Sequence, residues 1–103
     1  MSRYGLHGSI RAHPGQRQAL LEYLLEAATL MQSAPGCDLY AVSTVEADDH
    51  AVWVTEIWRS KADHDASLTL PGVSDLVGRA RAAIAGMGDS QVLEVHGGPG
   101  RTD

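Results

Sequence analysis

Along residues 16–32, QRQALLEYLLEAATLMQ, apolar positions recur three and four apart. Leu20, Leu24, Ala27 and Met31 fall on one face with Leu21, Leu25 and Ala28 beside it, while Gln18, Glu22 and Glu26 fall outside. That period predicts an amphipathic helix of about four or five turns. Pro35 and Gly36 end it, because proline breaks the hydrogen-bond ladder and glycine frees the turn. Ahead of the helix, residues 4–12 (YGLHGSIRA) read as a short strand, stopped by Pro14 and Gly15, with Gly5 and Gly8 marking close backbone approach.

Two β-rich runs follow, CDLYAVSTVEA (37–47) and HAVWVTEIWR (50–59), separated by an acidic turn at Asp48 and Asp49, and read as an antiparallel hairpin. Both carry apolar residues on both parities, as a sheet covered on both faces would. Ser60, followed three residues later by Asp63, is close to a capping box and predicts a short helix, which Pro71 and Gly72 break. From Val73 the positions Leu76, Val77, Ala80 and Ile84 restore helical spacing until Gly86 and Gly88. The run SQVLEVHG (90–97) alternates as a last strand, and residues 99–103 are expected to form a mobile tail.

Strand, helix, strand, strand, broken helix, strand is the order of the α+β, ferredoxin-like split βαβ fold, with a four-stranded antiparallel sheet. Helices cover one face of such a sheet. The second apolar face therefore implies a partner, and a second copy packed sheet to sheet is the simplest one.

The chain has 103 residues, enough for one domain. A fold of this size buries about 65% of its extended surface, which supplies a core but leaves little for an internal cavity, so a ligand pocket is expected to need a second subunit. A net charge of −5 without any basic run argues against a nucleic-acid surface. No stretch has the apolar length of a signal peptide core or a membrane helix, so no membrane association is expected and the location is read as cytoplasmic. The single cysteine, Cys37, forms no internal disulfide or paired-cysteine metal site and reads as a small buried thiol.

PGCDLYAVS, WVTEIWRSKADHDASLTLPGV and the closing IAGMG with VLEVHGG resemble the antibiotic biosynthesis monooxygenase family, in its branch of small quinol monooxygenases. The resemblance runs from Tyr4 to about Gly98. It implies a homodimeric α+β barrel with a pocket between sheet and helices. It also implies oxygenation of a quinol, an anthrone or a related polycyclic phenol by O2, as co-substrate, to the quinone, without metal, flavin or haem. The family's Glu-x-Trp at the end of the third strand falls on Glu56 and Trp58, its proline after the short helix on Pro71, and its Gly-Cys-x-x-Tyr on Gly36, Cys37 and Tyr40. Ser67 stands where many members have a histidine. Either His64, one turn earlier, takes over that role or the acid–base function differs.

Oxygenation without a cofactor draws its electrons from a deprotonated substrate, so it needs a base. Proton transfer from a phenol of pKa about 10 to a histidine of about 6.5 is uphill by roughly 5 kcal/mol, which fits within an enzymatic barrier. His64 is the first choice, against the plain alternative of a surface histidine between Asp63 and Asp65. Glu56 either orients that imidazole or holds a substrate hydroxyl, unless it is a buried carboxylate paired with Arg11 or Arg59. Trp58 shares its parity and is read as an aromatic wall for a flat ring, or as core; Trp53, of opposite parity, is read as core. Tyr40 is expected to bond a substrate oxygen or to be an ordinary strand tyrosine. His7, between two glycines, is expected to line a cavity, and Ser67 and Leu68 are placed with the substrate. His13, His50 and His96 read as solvated, and no two of the five histidines have helical metal-site spacing, so no metal is expected.

Three rivals share these residues. A haem-degrading relative would need a helical histidine and a tryptophan that SDLVGRARAAI and Ser67 do not provide. An isomerase or an enzyme degrading a small signal molecule would use the same pocket without O2. A non-catalytic, dimeric ligand-binding module would use it without chemistry.

Overall fold

The computed structural model describes residues 2–99. Its elements are β1 (Arg3–Ala12), α1 (Arg17–Met31), β2 (Cys37–Ser43), β3 (Ala51–Trp58), α2 (Lys61–Ser67), α3 (Val73–Ala80), a 3₁₀ turn (Arg81–Ala83) and β4 (Ile84–Val95). The strands form one antiparallel sheet in the order β2-β3-β1-β4, which is the α+β ferredoxin-like fold. From residue 100 onward, the expected mobile tail lies outside the described residues.

Register decides which side chains meet. Tyr4, Leu6, Gly8 and Ile10 pair with Trp58, Glu56, Val54 and Val52, and Tyr40 and Val42 pair with Glu56 and Val54. Cross-strand partners share a face, so these even-numbered residues form the surface on which the helices lie. Two core clusters hold the layers together. Ala12, Leu20, Val52 and Ala83 form one, and Met31, Ala34, Trp58 and Val73 form the other. Leu20, Val52 and Trp58 are sealed from solvent; full burial of an aliphatic side chain such as Leu20 contributes about 1.5–3 kcal/mol.

The structure departs from the sequence expectation at the second long helix. α3 ends at Ala80, and Ile84 begins a strand of 12 residues rather than closing a helix. Ile84 keeps helical spacing from Ala80, but it pairs with Ala12. Gly86 and Gly88, read as stops, lie inside β4. A Cβ on Gly88 would run into the Ser9 hydroxyl, so the strands pass this closely only with glycine there. The same stretch carries a register shift between Gly8 and Ile10. β2 also stops short, at Ser43, and the chain turns back through Asp48, whose carboxylate accepts the His50 amide and whose carbonyl accepts the Arg17 guanidinium.

The other face of the sheet carries Leu39, Trp53, Ile57 and Leu93, and no described helix covers it. Leu39 is exposed and Trp53, Ile57 and Leu93 are half-buried. Trp53, expected in the core, therefore lies on this open face.

Candidate functional site

The turn from β3 into α2 brings the reactive residues together. Ser60, extended at the N-cap, accepts the Asp63 amide on its hydroxyl at 3.2 Å. The reciprocal half of a capping box is missing, because the Asp63 carboxylate is held instead by Arg59 at 2.7 and 3.1 Å. The Arg59 amide donates to the Gly36 carbonyl at 2.8 Å and ties this corner to the start of β2. Gly36 has φ +80, and a side chain there would strike Asp63, so the Gly-Cys opening of β2 is a packing requirement of the corner.

Between the sheet and the three helices lies a cavity of about 200 Å³. It opens within a single chain, contrary to the expectation that a pocket would need a second subunit. The reason lies in α1: Leu24 and Ala27, which periodicity reads as core, line the cavity together with Tyr23. The residues with polar groups in its lining are few, namely Tyr23 from α1, Tyr40 from β2, Glu56 from β3, and His64 and Ser67 from α2. Leu68, 57% exposed, and Val77 form the rim. A second lobe, bounded by Met87 and Ser90 of β4, shares Ile10, Leu24, Tyr40 and Glu56 with the first.

Glu56 has no arginine partner among the described residues: Arg59 is engaged by Asp63. Its Oε1 accepts the Trp58 Nε1–H at 2.9 Å. Burial pushes its carboxyl above the ordinary carboxylate value, opposed by that indole hydrogen bond and by His64. Burial, then the nearby Glu56, also pushes the Tyr40 hydroxyl up, so it stays protonated and available as a donor. Burial raises the Cys37 thiol in the same way. Ser67, only 3% exposed, donates its hydroxyl to the His64 carbonyl at 2.6 Å and keeps its acceptor lone pairs for the cavity.

His64 is packed against two rings, edge-on to Trp58 at 5.7 Å and tilted against Tyr4 at 5.6 Å. Its Nδ1 lies 2.9 Å from Asp65 Oδ1, and Lys61 Nζ donates to the other oxygen, Oδ2, at 2.9 Å. Asp65 was not singled out by the sequence, where it reads as a solvated flank of His64; the only available signal was its adjacency.

Two expected residues stand elsewhere. Trp58 is fully buried behind the cavity wall, where it supports Glu56 and His64 rather than offering a face to a ligand. His7 points to the opposite side of the sheet, because its odd position in β1 is out of phase with Leu6 and Gly8. There its ring stacks on Trp53 at 4.8 Å, its Nδ1 lies 2.9 Å from the Thr55 hydroxyl, and it borders a shallow depression with Asp89 and Gln91, apart from Glu56 and His64. No cluster of three or more His, Cys, Asp or Glu side chains suited to a metal ion occurs among the described residues, and none of their helices is long and apolar enough to cross a membrane.

Residues 3–79 match the sequence profile of the family described as antibiotic biosynthesis monooxygenase. A Chloroflexus aurantiacus protein whose crystal structure is named for the same family is 42% identical, with a TM-score of 0.88 over 96% of this chain and 98% of its own. A Deinococcus radiodurans structure named for it is 23% identical, with a TM-score of 0.71 and 92% of each chain covered. A Mycobacterium tuberculosis protein, 18% identical over 94% of this chain and 98% of its own, has a TM-score of 0.78 and shows the fold alone. No curated protein matches the chain. With three-quarters of its length matching the family profile, and a relative of the same family superposing along almost all of it, the chain belongs to the antibiotic biosynthesis monooxygenase family.

Proposed function

We propose that the protein is a cofactor-independent monooxygenase that oxidises a quinol, anthrone or related phenol with O2. The observation that carries this reading is the convergence of a histidine, a carboxyl of raised pKa, a tyrosine hydroxyl and a serine hydroxyl on one otherwise apolar cavity. Apolar walls suit an aromatic ring, and a few convergent polar groups suit its oxygens. A volume of about 200 Å³ lies below the roughly 300–1,000 Å³ of drug-sized sites, which favours a quinol of one or two rings over a larger polycycle.

In this reading His64 takes the proton of a substrate hydroxyl, while Tyr40 donates to the oxygen that becomes negative and Ser67 accepts from a second hydroxyl. The phenolate passes one electron to O2, the resulting pair combines at a ring carbon as a peroxide anion, and the proton held by His64 returns to complete the substrate hydroperoxide. Loss of water leaves one oxygen atom in the product, and the two hydrogens removed from the quinol leave in that water. Glu56, held by Trp58, lines the cavity and helps to hold a substrate hydroxyl there. The cytoplasm is the proposed place of action.

A second copy of the chain covers the open face carrying Leu39, Trp53 and Ile57, giving a sheet-to-sheet homodimer; light scattering at micromolar concentration should return twice the 11.0 kDa chain mass. The functional test is O2 uptake by metal-stripped protein with a panel of hydroquinones and anthrones. Uptake above the uncatalysed rate that falls in His64→Ala supports the reading. Tight binding without uptake across the panel overturns it in favour of a binding module or an isomerase.

A further inference from the structure

The geometry points to Asp65 as a positioning residue that sets which nitrogen of His64 faces the substrate as a base. This rests on the reading of His64 as the proton acceptor, and it gives a role to a residue that the motif resemblance leaves without one and that the cavity lining does not contain.

Asp65 Oδ1 is 2.9 Å from His64 Nδ1. An ionised carboxylate has no proton to give, so the hydrogen of that contact must sit on Nδ1. A neutral imidazole carries one such hydrogen, which leaves Nε2 with a lone pair. Nδ1 is committed to Asp65, so Nε2 is the ring nitrogen left for a ligand in the cavity that His64 lines. Free imidazoles of histidine prefer the opposite tautomer, with the hydrogen on Nε2, so this arrangement needs a specific partner.

Lys61 makes that partner dependable. Its ammonium takes Asp65 Oδ2 at 2.9 Å across one helical turn, so each carboxylate oxygen has its own donor and the pair of oxygens is aimed. Hydrogen bonds from Lys61 and then His64 hold the Asp65 carboxyl below its ordinary range, so it stays ionised at neutral pH. The rings of Trp58 and Tyr4 fix the remaining freedom of the imidazole. When the substrate O–H bond breaks, its electron pair stays on oxygen and a new N–H bond forms at Nε2. The imidazolium produced then lies against the Asp65 carboxylate, which stabilises it.

Asp65→Asn preserves shape but supplies one acceptor and two donors. With Lys61 on the oxygen, the amide nitrogen faces Nδ1 and the ring proton moves to Nε2. Long-range ¹H–¹⁵N spectra of ¹⁵N-histidine-labelled protein, recorded where His64 is neutral, report the tautomer without reference to activity. Nδ1–H in the wild type, changing to Nε2–H in Asp65→Asn and returning in Asp65→Glu, is the expected result. Turnover of a responsive quinol should fall about 10-fold or more in Asp65→Asn with little change in KM, less than the ~10⁴-fold of a buried triad because Asp65 is half exposed, and should recover in Asp65→Glu. Nε2–H already in the wild type, or a tautomer indifferent to Asp65→Asn, overturns the inference, as does a tautomer switch without loss of turnover. A tautomer switch in a protein that oxidises no quinol at all supports the positioning role and overturns instead the monooxygenase reading on which its catalytic meaning rests.

Discussion

Replacing Trp58 by phenylalanine separates a packing role from a role in holding Glu56. Trp58 is fully buried among Met31, Ala34 and Val73, and its only described polar contact is the 2.9 Å hydrogen bond from Nε1 to Glu56 Oε1. Truncating a buried tryptophan to alanine costs about 3–5 kcal/mol, and phenylalanine keeps most of that packing, so the volume lost accounts for roughly 1–2 kcal/mol. Losing the donor of a half-buried carboxylate adds about 1.5–3 kcal/mol. Trp58→Phe should therefore lower stability by roughly 3–4 kcal/mol in urea unfolding, with an unchanged slope. The same substitution in a Glu56→Ala background should cost about 1.5–3 kcal/mol less, because the carboxylate it would orphan is already gone. Costs equal in the two backgrounds within about 0.5 kcal/mol would show that the indole only fills space, and the account of how Glu56 is held would fail.

Three further outcomes follow from other contacts. Burial raises Glu56 above its ordinary value of 4.5, so the folded state holds its proton more tightly; that contribution is complete below about pH 4.5 and lost as pH rises through the folded value. Glu56→Gln should thus gain stability relative to wild type as pH rises from 4 to 8 in denaturant titrations, whereas a flat or opposite trend would contradict the burial argument. Gly88→Ala should destabilise by about 1–3 kcal/mol through its collision with Ser9, while Gly86→Ala, with open space around its Cβ, should stay within about 0.5 kcal/mol; equal thermal shifts would refute the close approach of β1 and β4. Leu68→Ala, at the exposed cavity rim, should raise KM about 3- to 10-fold with unchanged melting temperature, since only part of a leucine's burial against substrate is lost; an unchanged KM would place the entrance elsewhere.

The order of elements was legible because each carries its own period and its own stops: α1 between Gly15 and Pro35, and α2 from the Ser60 cap. The start of β4 was not. Ile84 satisfies helical spacing from Ala80, and only tertiary pairing with Ala12 decides for the strand. Parity placed Glu56 and Trp58 on one face correctly, but it does not report depth; Trp58 went to the core while Glu56 borders the cavity. The face that His7 occupies was not legible, because glycine neighbours suggest close approach without saying from which side, and its ring borders a depression on the open face. Leu24 and Ala27 show the general limit, since an apolar helix face looks the same whether it meets side chains or encloses a cavity.

The most direct test of the central claim is isotopic. Metal-stripped protein is incubated with a hydroquinone under ¹⁸O2, and the product is weighed by mass spectrometry. Incorporation of one ¹⁸O atom per product molecule, lost together with turnover in His64→Ala, is the outcome expected of a monooxygenase that uses His64 as base. Product that carries no label from O2, or labelled product formed equally well without His64, would contradict it.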